Sequence, residues 1–249
     1  MPIYEPDHVE YKTSHGKISI VMENGKQLPA YFAHPQIGGQ FPGVVLIHDW
    51  WGITANVRRI ANLFAQMGYY VIVPDLFAGQ IAETPKQAMA LVKSLGDDKG
   101  YLFVDSALQV LENHHQCNAY VAAVGIGMGG SLAFEAAIKR SDIEAVVAYS
   151  GFPHQYYGKF KDVHVPVQAY YGAEEPHITP KLIARLRLEL AQSEHETDVQ
   201  IVDSLGHEFF QDNMDEIMKL KSRDVLKDTL NFLDRYLEGP EKPAKRQIY

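Results

Sequence analysis

Eight residues, Val124 to Ser131 (VGIGMGGS), constrain the fold of this chain more than any other stretch. The run before them, 120–124, is apolar and β-prone, and the run after them, 131–139, is alanine-rich and helical. A strand that turns through glycines into a helix belongs to a layered α/β sheet. Such a turn presents a nucleophile on a tight elbow, or it offers backbone N–H groups to a phosphate. The residue at the apex of an elbow here is Gly127, which has no side chain.

The remaining pattern fits this frame. Residues 9–12 and 17–22 alternate apolar and polar side chains, as half-buried strands do. Asn24-Gly25 is a hairpin turn signal that returns the chain into 28–33. Gln40-Phe41-Pro42-Gly43 reads as a break, and 43–47 as a short strand buried on both faces. Strands are then expected at 69–73, 120–124, 145–149, 167–171 and 199–202. Helices are expected from Thr54 to Met67 and over 84–95, 101–115, 128–139, 180–193 and 213–237. An antiparallel start followed by alternating strands and helices outlines an α/β-hydrolase fold. That is one domain over 1–249, with a mostly parallel sheet of about eight strands, helices on both faces and no large lid.

Composition narrows the function. The 249 residues, 46% of them hydrophobic, suffice for a large core. Acidic residues outnumber basic ones by 31 to 23, and no Lys/Arg cluster precedes the tail over 240–249, so nucleic acid is not an expected partner. No apolar run reaches membrane-spanning length, and no signal-peptide pattern is present. Cys117 is the only cysteine. A cytoplasmic protein without membrane contacts is expected.

Ligands in open α/β folds bind at the C-terminal ends of the strands. Four such ends carry chemistry: His48-Asp49-Trp50-Trp51-Gly52, the glycine elbow, Gly172-Ala173-Glu174-Glu175-Pro176, and Leu205-Gly206-His207-Glu208-Phe209-Phe210. Positions 127, 175 and 207 follow the hydrolase order of nucleophile, acid and base. His207 can reach the elbow, and Glu175 can accept its other N–H and fix the tautomer. The N–H groups of Met128 and Trp50 would face a developing oxyanion. The other histidines share no ligand spacing, so no metal site is expected. Gly125, Gly127 and Gly130 also satisfy the dinucleotide fingerprint G-x-G-x-x-G. That reading lacks its ribose-binding acid, because the next strand ends Ala148-Tyr149-Ser150-Gly151. No cofactor is expected.

With these segments in hand, the stretch 28–237 resembles the dienelactone hydrolase family. His48 to Gly52 is similar to the family's H-E-x-x-G loop, and Val73-Pro74-Asp75-Leu76-Phe77-Ala78-Gly79-Gln80 to its V-P-D-L-Y-x-R-Q segment. Residues 124–130 are similar to its V-G-x-C-x-G-G elbow, and Gly206-His207-Glu208-Phe209 to its G-H-x-F loop. The resemblance implies hydrolysis of small esters or lactones. It also exposes departures. The family's nucleophilic cysteine falls at Gly127, its aspartate at Glu175 and its elbow-facing glutamate at Asp49. Its two substrate-gripping arginines fall at Gly79 and Gln211, so a carboxylated dienelactone is a poor substrate candidate.

Three explanations fit a glycine at position 127: a pocket that binds without reacting, a water that takes the place of the missing side chain, or a glycine introduced to trap a ligand. Ser131, Ser150 and Cys117 are poorly placed to replace the nucleophile. Trp50, Trp51, Phe77, Phe152, Tyr156, Tyr157 and Phe210 are expected at the C-terminal edge of the sheet. An aromatic pocket of this kind, with Asp49, Gly79 and Gln211 beside it, suits a small ester, lactone or aromatic ligand.

Overall fold

A computed structural model describes residues 11–96, 99–211 and 213–237. The antiparallel start is a hairpin of β1 (Thr13–Val21) and β2 (Gln27–Pro35), in register from Thr13↔Pro35 to Val21↔Gln27. Its turn is made by Asn24, whose side chain accepts from the Lys26 N–H, and by Gly25 at φ 75°. The strand expected at 9–12 falls partly outside the described residues. Within them, the Tyr11 N–H donates to the carbonyl of Gln66, in a helix, rather than to a strand.

Six further strands follow: β3 (Phe41–Ile47), β4 (Tyr70–Pro74), β5 (Cys117–Ile126), β6 (Ala145–Tyr149), β7 (Val167–Gly172) and β8 (Thr197–Val202). The sheet order is β1-β2-β4-β3-β5-β6-β7-β8. β4, β3 and β5 to β8 run parallel, and β2 joins β4 antiparallel. The break expected at 40–43 is instead the start of β3. Proline lacks an N–H for the ladder, and the register against β5 shifts between Phe41 and Gly43.

The helices are α1 (Ala55–Gln66), α2 (Pro85–Leu95), α3 (Lys99–Glu112), α4 (Met128–Lys139), α5 (Pro180–Leu190) and α6 (Glu216–Leu237). Thr54 caps α1 by accepting from Val57 N–H, and Thr84 and Gln87 form a reciprocal capping box on α2. Two apolar layers sandwich the sheet. Val45 and Ile47 of β3 face one layer with α3, α4 and α5; Val44 and Leu46 face the other with α1 and α6. Because both faces are covered, β3 reads as an unbroken apolar run rather than an alternating one. Phe64 of α1 and Phe134 of α4 are fully buried anchors of the two layers. Truncating either to alanine is worth about 3–5 kcal/mol of stability.

This is the open, mostly parallel α/β-hydrolase sheet. The chain leaves β3 for β4 on one side and continues to β5 on the other. The loops after β3 and β5 therefore diverge, and the crevice between them is where ligands enter such sheets. The connection from β6 to β7 holds only two short 3-10 turns, His154–Tyr156 and Phe160–Asp162.

Candidate active site

The elbow forms between β5 and α4. Gly127 sits there at φ 55°, ψ −116°, with its N–H on the Tyr149 carbonyl at 2.8 Å. Side-chain-bearing residues adopt that conformation only under strain of about 1–3 kcal/mol. Flanking glycines serve close packing. A β-carbon at Gly125 would stand 2.0 Å from the Gly129 carbonyl oxygen, and one at Gly129 would stand 2.2 Å from that of Ile47. Without them α4 could not rest its first turn on β3 and β5.

The acid–base half of the site comes from the loops after β7 and β8. Glu175 Oε2 lies 2.7 Å from His207 Nδ1. Its other oxygen accepts from the N–H groups of His177 (2.8 Å) and Ile178 (3.3 Å), so the carboxylate is held from both ends. An ionised carboxylate only accepts. Nδ1 therefore carries the proton, and neutral His207 presents Nε2 as a free acceptor. Burial alone would lower the His207 pKa, but the hydrogen bond and charge of Glu175, then Asp49 and Glu208, outweigh it and raise it above 6.5. Glu175 moves the other way. Burial opposes its ionisation, yet the His207 bond and the two backbone N–H groups hold it below the usual range. Ser150, at φ 48°, donates its hydroxyl to the His207 carbonyl at 2.8 Å. Ser131 accepts from Phe152 N–H at 2.9 Å, and Cys117 is buried at the far end of β5. Each of these three has a structural place away from a nucleophile's.

The other half holds an arrangement that no local sequence pattern encodes. Asp49 Oδ1 accepts from the Trp50 N–H at 2.7 Å and from the Met128 N–H at 2.9 Å. Those are the two donors expected to form an oxyanion hole. The same carboxylate fills the space above Gly127. A β-carbon on Gly127 would meet Asp49 Oδ1 at 2.3 Å, Cγ at 2.4 Å and Oδ2 at 2.6 Å. The volume next to the elbow, which one of the three explanations for Gly127 gave to water, is taken by the Asp49 carboxylate. Burial pushes the Asp49 carboxyl up, against the two N–H bonds that pull it down. His48 fixes this loop: its Nδ1 donates to the Asp49 carbonyl at 2.7 Å, and its Nε2 accepts from Leu76 N–H at 3.1 Å. Both bonds suit a neutral ring, and burial keeps its pKa low.

A cavity of about 1190 Å³ opens over these groups. Asp49, Trp50, Trp51, Met128, Phe152, Tyr156, His207 and Gln211 border it, as the sequence suggested. Four expected residues do not. The Tyr157 hydroxyl donates to the Leu182 carbonyl of α5 at 2.8 Å. Phe77 is buried with its ring against His48, centroids 5.2 Å apart. Gly79 sits in a turn where its N–H reaches Asp75 Oδ2 at 2.7 Å. Phe210 stacks edge-on against Tyr149 at 5.0 Å, and its carbonyl accepts from Arg59. Aromatic residues at strand ends pack as readily as they line pockets, and only neighbours distant in sequence decide which. The sequence reading missed Glu208, Leu132, Met214 and Met218, all on the cavity wall. Glu208 adjoins the histidine, and that adjacency was the available signal. Burial, with Asp49 nearby, raises its pKa. Among the described residues Lys93 is the only lysine or arginine bordering the cavity, whose lining also includes the acidic Asp49 and Glu208. Among the described residues no three His, Cys, Asp or Glu group to hold a metal, and no helix is long and apolar enough to cross a membrane.

The N–H of Met128, which a dinucleotide phosphate would use at the start of α4, is taken by Asp49. Known proteins share this fold. The chain is 24% identical over 224 residues to "Protein usf" of Aquifex pyrophilus, covering 86% of this chain and 96% of that one. It is 22% identical over 225 residues to the "Putative carboxymethylenebutenolidase" of Aquifex aeolicus, covering 87% and 96%. Its fold matches the crystal structure titled "Putative Dienelactone Hydrolase" from Klebsiella pneumoniae at a TM-score of 0.80, with 21% identity over 90% of this chain and 100% of that one. The family model for dienelactone hydrolases matches residues 28–237, a span that takes in β2, the elbow, both acid–base loops and α6. By fold, loop order and this match, the chain belongs to the dienelactone hydrolase family.

Proposed function

We propose that the protein hydrolyses small, uncharged esters or lactones by direct attack of water, slowly and without an acyl-enzyme. One observation carries this reading: the Glu175–His207 pair is fully assembled at 2.7 Å while the elbow offers no nucleophile. In the proposed cycle the substrate carbonyl displaces Asp49 and accepts from Met128 and Trp50 N–H. His207 Nε2 takes a proton from water as the water oxygen adds to the carbonyl carbon. The tetrahedral oxyanion rests on the two N–H groups, and His207 returns the proton to the departing alkoxide. A positioned general base contributes about 10²–10⁴-fold, and each oxyanion donor about 10²–10³-fold. These contributions are not additive, and removing the nucleophile from a complete triad costs about six orders of magnitude, so hydrolysis without one is slow. The acidic Asp49 and Glu208 on the wall disfavour a substrate carboxylate, and the aromatic and methionine side chains suit an apolar acyl or alkyl group.

The test compares wild type with His207→Ala on p-nitrophenyl acetate. A loss of about 10²–10³-fold supports the general base. Equal rates support a second reading, a ligand-binding protein of the same fold that does no chemistry. That reading draws on Asp49, which occupies the hole a substrate carbonyl needs.

A further inference from the structure

Asp49 presents its two carboxylate oxygens differently. Oδ1 lies 2.7 and 2.9 Å from the Trp50 and Met128 nitrogens, within the 2.7–3.1 Å range at which donors stabilise an oxyanion. Oδ2 makes no hydrogen bond among the described residues, and Asp49 borders the large cavity. The carboxylate also stands where an elbow side chain would begin, since every one of its outer atoms lies within 2.6 Å of a Gly127 β-carbon. His207 borders the same cavity, and each of the two groups feels the other's charge. The oxyanion hole is thus built around an oxygen of this chain's own carboxylate. The matching reaction is one in which that oxygen becomes the oxyanion.

We propose that Asp49 is a carboxylate nucleophile supplied by the loop after β3, and that it attacks sp³ carbon, giving the protein a hydrolytic activity toward small apolar alkyl electrophiles such as primary alkyl halides. In the first step Oδ2 forms a bond to the carbon, and the carbon–halogen bond breaks with its electron pair going to the halide. The product is an alkyl ester of Asp49 whose carbonyl oxygen, Oδ1, remains on the two N–H groups. In the second step His207 Nε2 takes a proton from water and the water oxygen adds to Asp49 Cγ. Negative charge develops on Oδ1, between Met128 and Trp50. Collapse expels the alkoxide, which takes the proton from His207, and the aspartate is restored. The balance is alkyl halide plus water giving alcohol, halide and a proton. An alkyl halide asks for no acid at its leaving group, which suits a site where the Tyr156 hydroxyl already donates to Glu135 at 3.0 Å. Ester hydrolysis requires Asp49 to leave the hole, whereas this reaction requires it to stay. The two activities share the Glu175–His207 pair and the Met128 and Trp50 N–H groups, and differ in which oxygen those donors hold.

The probe is n-butyl bromide. His207→Gln is incubated with it, digested and analysed by mass spectrometry, and the peptide containing Asp49 is expected to carry a butyl group. Wild type is expected to release bromide and butanol and to accumulate no adduct. After a single turnover in heavy-oxygen water the label is expected in the Asp49 carboxylate, a readout that needs no variant. Asp49→Asn is expected to release bromide no faster than buffer. The proposal is overturned if His207→Gln gains no butyl group at Asp49, if the heavy oxygen enters butanol directly, if bromide release survives Asp49→Asn, or if wild type neither reacts nor is alkylated. Butylation without His207-dependent esterase activity leaves this proposal standing alone. Esterase activity without butylation leaves only the ester reading.

Discussion

His207 and Asp49 reach one cavity from opposite sides of the elbow, and they are held in different ways. His207 is backed by Glu175, whose second oxygen is tied to two backbone N–H groups, and its own carbonyl is fastened to Ser150. Each of these bonds orients the imidazole, and none blocks Nε2. Asp49 is held by the very donors a substrate would use, over an apex residue that has no side chain. The imidazole is held in place with Nε2 left open. At the elbow half, the space beside Gly127 and both of its neighbouring N–H donors are taken by a carboxylate from the loop after β3. A glycine apex therefore need not leave a void, because a charged neighbour can occupy both the space and the hydrogen bonds.

The largest effect is expected from undoing this occupancy. Gly127→Cys alone places a β-carbon 2.3 Å from Asp49 Oδ1, so the sulfur enters only if the carboxylate moves. Gly127→Cys with Asp49→Ala clears the space and frees the hole. The double variant is expected to hydrolyse p-nitrophenyl acetate about 10³-fold or more faster than wild type, in keeping with the size of nucleophile effects in triads. The single cysteine is expected to gain much less, and equal rates for the two would show that Asp49 does not obstruct the elbow. Asp49→Ala in the glycine background is the milder case. Opening the two-donor hole to the substrate carbonyl is expected to raise ester hydrolysis about tenfold, while alkyl halide hydrolysis disappears.

The base half is sharpened by pH. His207 acts as a base only when neutral, and its pKa is raised above 6.5, chiefly by Glu175 against the opposing effect of burial. The acid limb of the ester pH–rate profile is therefore expected to have its midpoint above pH 6.5, with activity rising as pH increases through it. Glu175→Gln removes the charge that raises this pKa, so the limb is expected to move to lower pH as the plateau rate falls. An unmoved limb would assign it to a different group.

Much of this arrangement was readable in the residues, for local reasons. Helix α4 begins at Met128 because glycines punctuate its start, and α1 begins after Thr54 because the threonine caps it. The order of the elbow, Glu175 and His207 along alternating strands placed all three at one sheet edge. Elements limited by irregular chain were harder to place. Pro42 looked like a break but lies in β3 at a register shift, where the missing N–H is tolerated. The position of Asp49 was not readable. It depends on β3 lying beside β5, which brings residues 79 positions apart into hydrogen-bonding distance, and on a rotamer that turns the carboxylate toward the Met128 N–H. Phe77 and Phe210 stand back from the large cavity for a related reason, although Phe210 lines a small pocket with Asp49 and His207. Their burial depends on His48 and Tyr149, and no local pattern encodes those partners.

The central claim is that His207 delivers water to an ester with no covalent acyl intermediate. Intact-mass spectrometry of the protein, quenched during steady-state turnover of p-nitrophenyl acetate, tests it most directly. The account predicts the unmodified mass throughout, with no initial burst of nitrophenol, while His207→Ala lowers the rate. An acetylated protein accumulating at the pace of the burst would contradict it, and the acetylated residue would name the nucleophile.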